Sequence, residues 1–220
     1  MNALVEHTKK SLTGAQILES NIAPEALSLE GMSGLMTRHF YNNLCSLEGA
    51  RYLEIGTFRG STVCSAISNN TTKTVCIDDF SEFAGIDNRN HPREDLLQNI
   101  DRFKGNNDVT FIESSCWDID PSGLGKFNIY MYDGNHDELS HMRALSHFAE
   151  CLDDEFIYIV DDWNWPAVPK ATCKSLKENG LEILFKKEIT YRDDQNPDGI
   201  INRQTWWNGI GIFVLKKNGT

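Results

Sequence analysis

The sequence predicts an α/β protein with a seven-stranded, mostly parallel β-sheet, a C-terminal antiparallel hairpin and an N-terminal helical cap. From residue 50 onward, short apolar runs typical of strands alternate with amphipathic runs typical of helices. This alternation favours parallel strands with helices on both faces of the sheet. No helical pattern separates the last two strand-like runs, so we expect them to pair as an antiparallel hairpin at the sheet edge.

The predicted elements follow in a regular order. The strand-like runs cover residues 51–55, 74–77, 109–112, 127–132, 156–160, 181–190 and 209–216. Helical patterns cover residues 61–68, 93–103, 138–152 and about 169–179. Asn179-Gly180 is a typical helix stop, because glycine adopts the left-handed conformation that ends many helices.

The first 48 residues differ in character from the rest. Leu12, Ile17, Leu18 and Ile22 recur at helical spacing until Pro24 interrupts, and a second helical pattern covers residues 34–47. This segment is too short for an independent domain. We therefore expect a helical cap at residues 1–48 on a main domain at residues 49–220.

Composition limits the classes of partner. A chain of 220 residues with 40% hydrophobic content predicts one globular domain, and the net charge of −11 argues against a nucleic-acid backbone as partner. The six cysteines form no C-x-x-C pair and are expected to be reduced. No secretion signal or membrane-length apolar run is recognised, so we expect a cytoplasmic protein without a membrane partner. A homo-oligomer is compatible with the sequence.

The stretch from Glu54 to Ser61 predicts a ligand-binding turn between the first strand and its helix. Gly56 and Gly60 allow a ligand to approach the backbone, and the helix that starts at Ser61 presents free N–H groups to an anion. The Glu54 carboxylate can bind an amine or a hydroxyl. S-adenosylmethionine, which carries an amine, a carboxylate and a ribose, suits such a turn.

Asp78 follows the second strand, about twenty residues after the glycine turn. A carboxylate at this place can accept hydrogen bonds from both hydroxyls of a ribose. The alternative is an acid that only caps a turn or a helix. The glycine turn upstream favours the ribose interpretation.

Asp133, Asp161 and Asp162 follow two neighbouring predicted strands. Because ligands of parallel sheets bind beyond the carboxyl ends of the strands, we expect these carboxylates near one point. Their mutual repulsion would be relieved by a hard divalent cation such as Mg²⁺. Both Asp161 and Asp162 can bind it only if the strand has ended by Asp162, and the alternative is that one of them caps a helix.

His136 lies three residues beyond Asp133 and is the candidate catalytic base. An imidazole can take a proton from a substrate hydroxyl at neutral pH. A helix-terminal histidine without catalytic part is the alternative, and His141 is a weaker rival. Trp163 and Trp165 follow the acidic pair and are candidate pocket walls, whereas packing of the hairpin against the last helix is favoured for Trp206 and Trp207.

Together these motifs resemble the class I S-adenosylmethionine-dependent methyltransferases, which have a Rossmann-like fold. More narrowly, they are similar to the metal-dependent sugar O-methyltransferases, the macrocin O-methyltransferase-like branch. The resemblance covers about residues 50–180. It rests on Glu54-Ile-Gly-Thr-Phe-Arg-Gly-Ser61, Ile77-Asp-Asp-Phe80, Tyr132-Asp-Gly-Asn-His136 and Val160-Asp-Asp-Trp163.

The resemblance implies roles for matching positions. The methionine part of the donor would lie at Glu54, Gly56 and Gly60, its ribose at Asp78 and its adenine at Ser115 and Cys116. The magnesium ligands would be Asp133, Asp161 and Asp162, and His136 would be the base. The implied activity is O-methylation of a hydroxylated small molecule, a sugar or a natural product.

Two other functions remain as alternatives. An NAD-dependent oxidoreductase is disfavoured, because Gly56 and Gly60 do not follow the G-x-G-x-x-G spacing. A cofactor-binding protein without methyl transfer is disfavoured by the intact acidic and histidine residues.

Overall fold

The computed structural model describes residues 2–81, 91–190, 192 and 202–218. The helices are Ala3–Gln16 (α1), Pro24–Leu27 (α2), Leu35–Cys45 (α3), Ser61–Ile67 (α4), Pro92–Phe103 (α5), Glu138–Phe148 (α6) and Ala167–Glu178 (α7). The strands are Arg51–Ile55 (β1), Lys73–Asp78 (β2), Asp108–Glu113 (β3), Phe127–Tyr132 (β4), Leu152–Asp161 (β5), Leu181–Ile189 (β6) and Ile210–Lys217 (β7). Short 3₁₀ helices lie at Cys116–Asp118, Pro121–Leu124 and Ala149–Cys151.

The seven strands form one sheet in the order β3-β2-β1-β4-β5-β7-β6. The first five are parallel, and β7 runs antiparallel to both β5 and β6. The predicted fold class is therefore confirmed. The hairpin does lie at the sheet edge, but β7 is inserted between β5 and β6, so that β6 forms the edge itself.

Apolar side chains cover both faces of the sheet. One core joins α1, α3, α4 and α5 to alternate residues of the strands, and the other joins α6 and α7 to the opposite face. Such two-sided burial explains why β4, apart from Asn128, reads as an apolar run rather than an alternating one. No helix in the described part of the chain is long and apolar enough to cross a bilayer.

The N-terminal helices pack directly on the sheet. Phe40, Tyr41 and Leu44 of α3 are fully buried in the same core as Tyr52 of β1. The 1–48 boundary of the cap stays a prediction, and this segment shares its core with the sheet.

The sequence pattern extends the first helix too far. Helix α1 ends at Gln16, and Leu18 adopts a left-handed backbone with φ 56°. Ile17 and Leu18 are 61% and 44% exposed, so their helical spacing with Leu12 has no packing counterpart. The predicted helix at residues 138–152 also ends early, at Phe148, because Leu152 already pairs with Phe127 as the first residue of β5.

Candidate functional site

A cavity of about 600 Å³ opens at the carboxyl edge of the sheet, as expected for a parallel α/β fold. Its walls come from the ends of β1, β2, β3, β4 and β5, the segment before α3 and the turn before β7. Of the predicted site residues, eight line it: Gly56, Asp78, Ser115, Cys116, Asp133, His136, Asp161 and Asp162. Glu54, Gly60 and Ser61 are not among the lining residues that the structure describes.

The glycine turn is held in place by Asp78. One carboxylate oxygen of Asp78 accepts hydrogen bonds from the backbone N–H groups of Thr57 and Phe58, both at 2.7 Å, and the other accepts from Phe80. Asp78 thus stabilises the turn and also faces the cavity. Asp79, exposed beside it on the cavity wall, accepts hydrogen bonds from Ser81.

Gly56 lies where three strand ends meet. Its N–H donates to Ile77 of β2, and its φ of +82° suits glycine. A Cβ at this position would lie 1.9 Å from the carbonyl oxygen of Asp133. The sequence therefore needs glycine here, because the backbone after β1 touches the backbone after β4.

Glu54, Gly60 and Ser61 lie behind the cavity wall. The Glu54 carboxylate is fully buried and accepts hydrogen bonds from Tyr52 at 2.5 Å and Thr62 at 2.7 Å. A Cβ on Gly60 would meet Leu96 at 2.8 Å, which indicates close packing against α5. The hydroxyl of Ser61 lies 2.9 Å from that of Ser33, so the N-terminal segment covers the start of α4.

Burial raises the pKa of Glu54 to about 8, although the two hydroxyl donors oppose the rise. The folded chain therefore holds Glu54 protonated at neutral pH, while the unfolded chain ionises it from about pH 4.5. The stability that protonated Glu54 contributes is fully present below the pKa of Glu54 in the unfolded chain. It is lost as the pH rises through the pKa of Glu54 in the folded chain.

We expect the Glu54→Gln variant to gain stability relative to the wild type as the pH rises from 4.5 to 8. The difference should grow by at most about 1.4 kcal/mol per pH unit, since only one proton is involved. Thermal unfolding across this range measures it, with the exposed Glu48→Gln as control. A difference that does not change with pH would contradict the buried, protonated state.

Ser115 and Cys116 follow β3 and line the cavity beside Trp117. The Ser115 hydroxyl caps a short 3₁₀ helix by accepting from the Trp117 N–H. Cys116 is half-buried, and burial raises the pKa of its thiol to about 12, so it is a neutral wall and not a nucleophile. The ring of Trp117 also lines this part of the cavity, and the Arg143 guanidinium stacks over one face of that ring.

Asp133, His136 and Asp162 converge at the part of the cavity formed after β4 and β5. The Nε2 atom of His136 lies 3.1 Å from an oxygen of Asp162 and 3.6 Å from an oxygen of Asp133. One potential ligand atom from each of the three lies within 4.8 Å of the others. Two carboxylates and an imidazole are a donor set that suits a divalent cation.

Asp161 lies behind this group. It is only 1% exposed, accepts a hydrogen bond from the Asp162 N–H and shares another with the Asp133 side chain. Burial and the nearby Asp162 raise its pKa well above the ordinary value. The strand β5 ends at Asp161, and Asp162 has φ 54°, so the condition set by the sequence for both acids to approach one point is met.

His136 is fixed by aromatic contacts. Its ring stacks on His141 at 5.6 Å and meets Trp165 edge-on at 4.9 Å. Its Nδ1 atom is buried without a hydrogen-bond partner in the described residues, so Nε2 is the nitrogen that faces the acids. Burial, aided by the charge of His136, lowers the pKa of His141 to about 4 and keeps that ring neutral.

The structure places the tryptophans partly otherwise than predicted: one of each predicted pair lines the cavity and the other is buried. Trp165, 47% exposed, lines the cavity, whereas Trp163 is buried against Phe213. Trp206 is packed, but on Phe40 of α3 rather than on the last helix, and Trp207 faces the cavity.

Met32 and Asn208 line the cavity although no sequence motif includes them. Met32 precedes α3 and carries no motif. Asn208 has a detectable signal: β7 is antiparallel to β5, so the residues just before β7 lie at the same edge as the end of β5. The prediction of site residues covers strand ends and the turns that follow them, not the turn before a strand, and it therefore misses Asn208.

Comparison with known proteins identifies the fold. No family profile matches the chain, and no curated protein matches it in sequence. A SAH-bound methyltransferase of Podospora anserina has a TM-score of 0.59 at 12% identity, covering 100% of this chain and 89% of its own. An O-methyltransferase of Bacillus cereus in complex with SAH has a TM-score of 0.55 at 12% identity, covering 98% and 92%.

A putative RNA methyltransferase of Pyrococcus horikoshii is also similar, with a TM-score of 0.53 at 16% identity, covering 99% of this chain and 98% of its own. These likenesses show that the chain has the fold of methyltransferases. They include an O-methyltransferase and a putative RNA methyltransferase, so the likeness indicates the fold and not a substrate.

Proposed function

We propose that this protein is an S-adenosylmethionine-dependent O-methyltransferase that acts on a hydroxylated small molecule with the help of a divalent cation. The observation that carries the proposal is the convergence of Asp133, His136 and Asp162 in the same cavity as the Gly56 turn. SAH-bound proteins of the same fold support the donor.

The donor fits the part of the cavity that the first three strands form. Gly56 and Asp78 would receive its methionine and ribose parts, and Ser115 and Cys116 its adenine. S-adenosylmethionine supplies a methyl group already activated by the sulfonium. The protein therefore needs mainly to orient the acceptor hydroxyl and to remove its proton.

His136 is suited to remove that proton. A proton that Nε2 takes from the acceptor would lie beside the oxygens of Asp162 and Asp133. Stacking on His141 and contact with Trp165 restrict the ring to this orientation. We therefore assign catalytic roles to His136, as the base, and to Asp133, which lies beside it.

A divalent cation, with Mg²⁺ as the first candidate, would be held by Asp133 and Asp162, with Asp161 behind them. When bound, it lowers the pKa of a ligated hydroxyl and orients it. The short distances of His136 to both acids allow a second arrangement, in which His136 is itself a ligand. The affinity of a His136→Gln variant for Mn²⁺ distinguishes the two arrangements.

Charge favours a small acceptor over a nucleic acid. Five aspartates line the cavity, and no lysine or arginine does so among the described residues. A phosphate backbone would be repelled by these walls, since its binding depends on cationic side chains. Trp165 and Met32, both partly exposed, instead offer apolar surface to a ring at the cavity.

Calorimetric titration with S-adenosylmethionine, SAH and NADH tests the donor, and transfer of a labelled methyl group tests the reaction. We expect micromolar binding of the first two and none of NADH. Neutral sugars and phenols with vicinal hydroxyls should be methylated, RNA should not, and a chelator should suppress turnover. Preference for NADH would favour an oxidoreductase, and tight SAH binding without transfer to any hydroxylated acceptor would favour a binding protein.

A further inference from the structure

The turn that enters β7 reaches the acidic cluster through Asn208. Asn208 is 1% exposed and lines the cavity, and its side-chain amide donates a 2.7 Å hydrogen bond to Oδ1 of Asp162. The register of β5 and β7 pairs Asp161 with Ile210, which brings Asn208 alongside Asp162. A side chain 46 residues away in sequence thus determines how Asp162 is oriented.

Asp162 needs such support, because its backbone is in the left-handed region with φ 54°. That conformation costs roughly 1 kcal/mol or more for a residue with a side chain, and it persists where neighbouring contacts stabilise it. Two backbone hydrogen bonds join the turns, from Asn164 to Asn208 and from Trp163 to Gly209. A Cβ on Gly209 would meet the Asn164 side chain at 2.6 Å, so the two turns are in close contact.

We infer that Asn208 is a positioning residue for the proposed methyl transfer. Its amide occupies Oδ1 of Asp162, which leaves Oδ2 to face Nε2 of His136 at 3.1 Å. An amide donor is suited to this place, whereas a carboxylate at position 208 would repel Asp162. The inference rests on the proposed function, since the orientation matters only if Asp162 and His136 act on a substrate.

The test exchanges the amide at position 208 and the carboxylate at position 162. Asn208→Asp removes the hydrogen-bond donor and places two carboxylates side by side. Asp162→Asn allows the side-chain NH₂ group, instead of an oxygen, to face Nε2 of His136. In the double variant, Asn at 162 can donate to Asp at 208 and again present an oxygen to His136. Outer partners that orient a site residue typically affect activity 10- to 100-fold.

We expect each single variant to lower kcat by roughly 10- to 100-fold, with SAH affinity and KM for S-adenosylmethionine changed less than about twofold. The kcat of the double variant should be at least about tenfold higher than the product of the two single effects predicts. Asn202→Asp is the matched control: it adds the same charge in the same turn and keeps the oxygen that accepts from Gln204.

Each outcome decides between the alternatives. Multiplicative losses in kcat, or a fall in melting temperature that accounts for the lost activity, would overturn the positioning role and leave the proposed function standing. A wild-type chain that binds neither S-adenosylmethionine nor SAH would overturn the proposed function, and the positioning role would fall with it.

Discussion

The His136→Gln variant should lose methyl transfer by roughly 10²- to 10⁴-fold while binding SAH as the wild type does. The physical reason is that glutamine keeps a polar group near Asp162 but cannot accept a proton at neutral pH. Initial rates with a labelled methyl donor measure turnover, and calorimetry measures SAH affinity. His91→Gln is the control, because its ring is 69% exposed and lies outside the cavity wall.

The same variant separates the two roles of His136. If His136 is the base and the cation is bound by the aspartates, Mn²⁺ affinity measured by electron paramagnetic resonance should stay within about threefold of the wild type. If His136 is a ligand, Mn²⁺ affinity should fall by tenfold or more together with turnover. Unchanged turnover would remove His136 from the mechanism altogether.

The Gly56→Ala variant should be destabilised by about 3 kcal/mol or more and should bind SAH poorly. Its Cβ would lie 1.9 Å from the Asp133 carbonyl oxygen, so the end of β1 must move away from the end of β4. That movement would displace the Gly56 turn, which Asp78 holds in place, and it would also displace Asp133 of the proposed site.

A second glycine separates backbone strain from the clash. Gly49 also has a positive φ, +69°, but nothing lies within 4 Å of its added Cβ. Gly49→Ala should therefore cost only about 1 kcal/mol, the usual penalty for a left-handed alanine. Chemical denaturation of both variants measures the difference, and equal losses would show that contact with Asp133 is unimportant.

The sequence predicted the sheet well because the apolar pattern of each strand can be recognised without knowing its partners. Periodicity and turn signals located all seven strands, and the missing helix before β7 predicted the antiparallel hairpin. Local pattern failed where packing decides, as at Ile17, which continues the helical spacing but lies outside the core.

The candidate site was predictable only in part. The acids after β4 and β5 could be placed at one edge from topology, and the structure does bring Asp133 and Asp162 together at His136. The burial of Glu54 could not be foreseen, because its partner Thr62 becomes a neighbour only once α4 packs on β1. Met32 belongs to a loop whose position depends on tertiary contacts.

That loop is anchored independently of the sheet. Arg38 of α3, almost fully buried, donates hydrogen bonds to the Ser33 hydroxyl and to the carbonyl oxygens of Leu27 and Leu29. The wall that carries Met32 is thus braced from α3, while the proposed donor site is built from strand termini. A substitution at Met32 alone offers a route to new acceptor selectivity that leaves the proposed donor site unchanged, whereas Glu30 pairs with Arg59 of the glycine turn and a Cβ on Gly31 would meet Ser61.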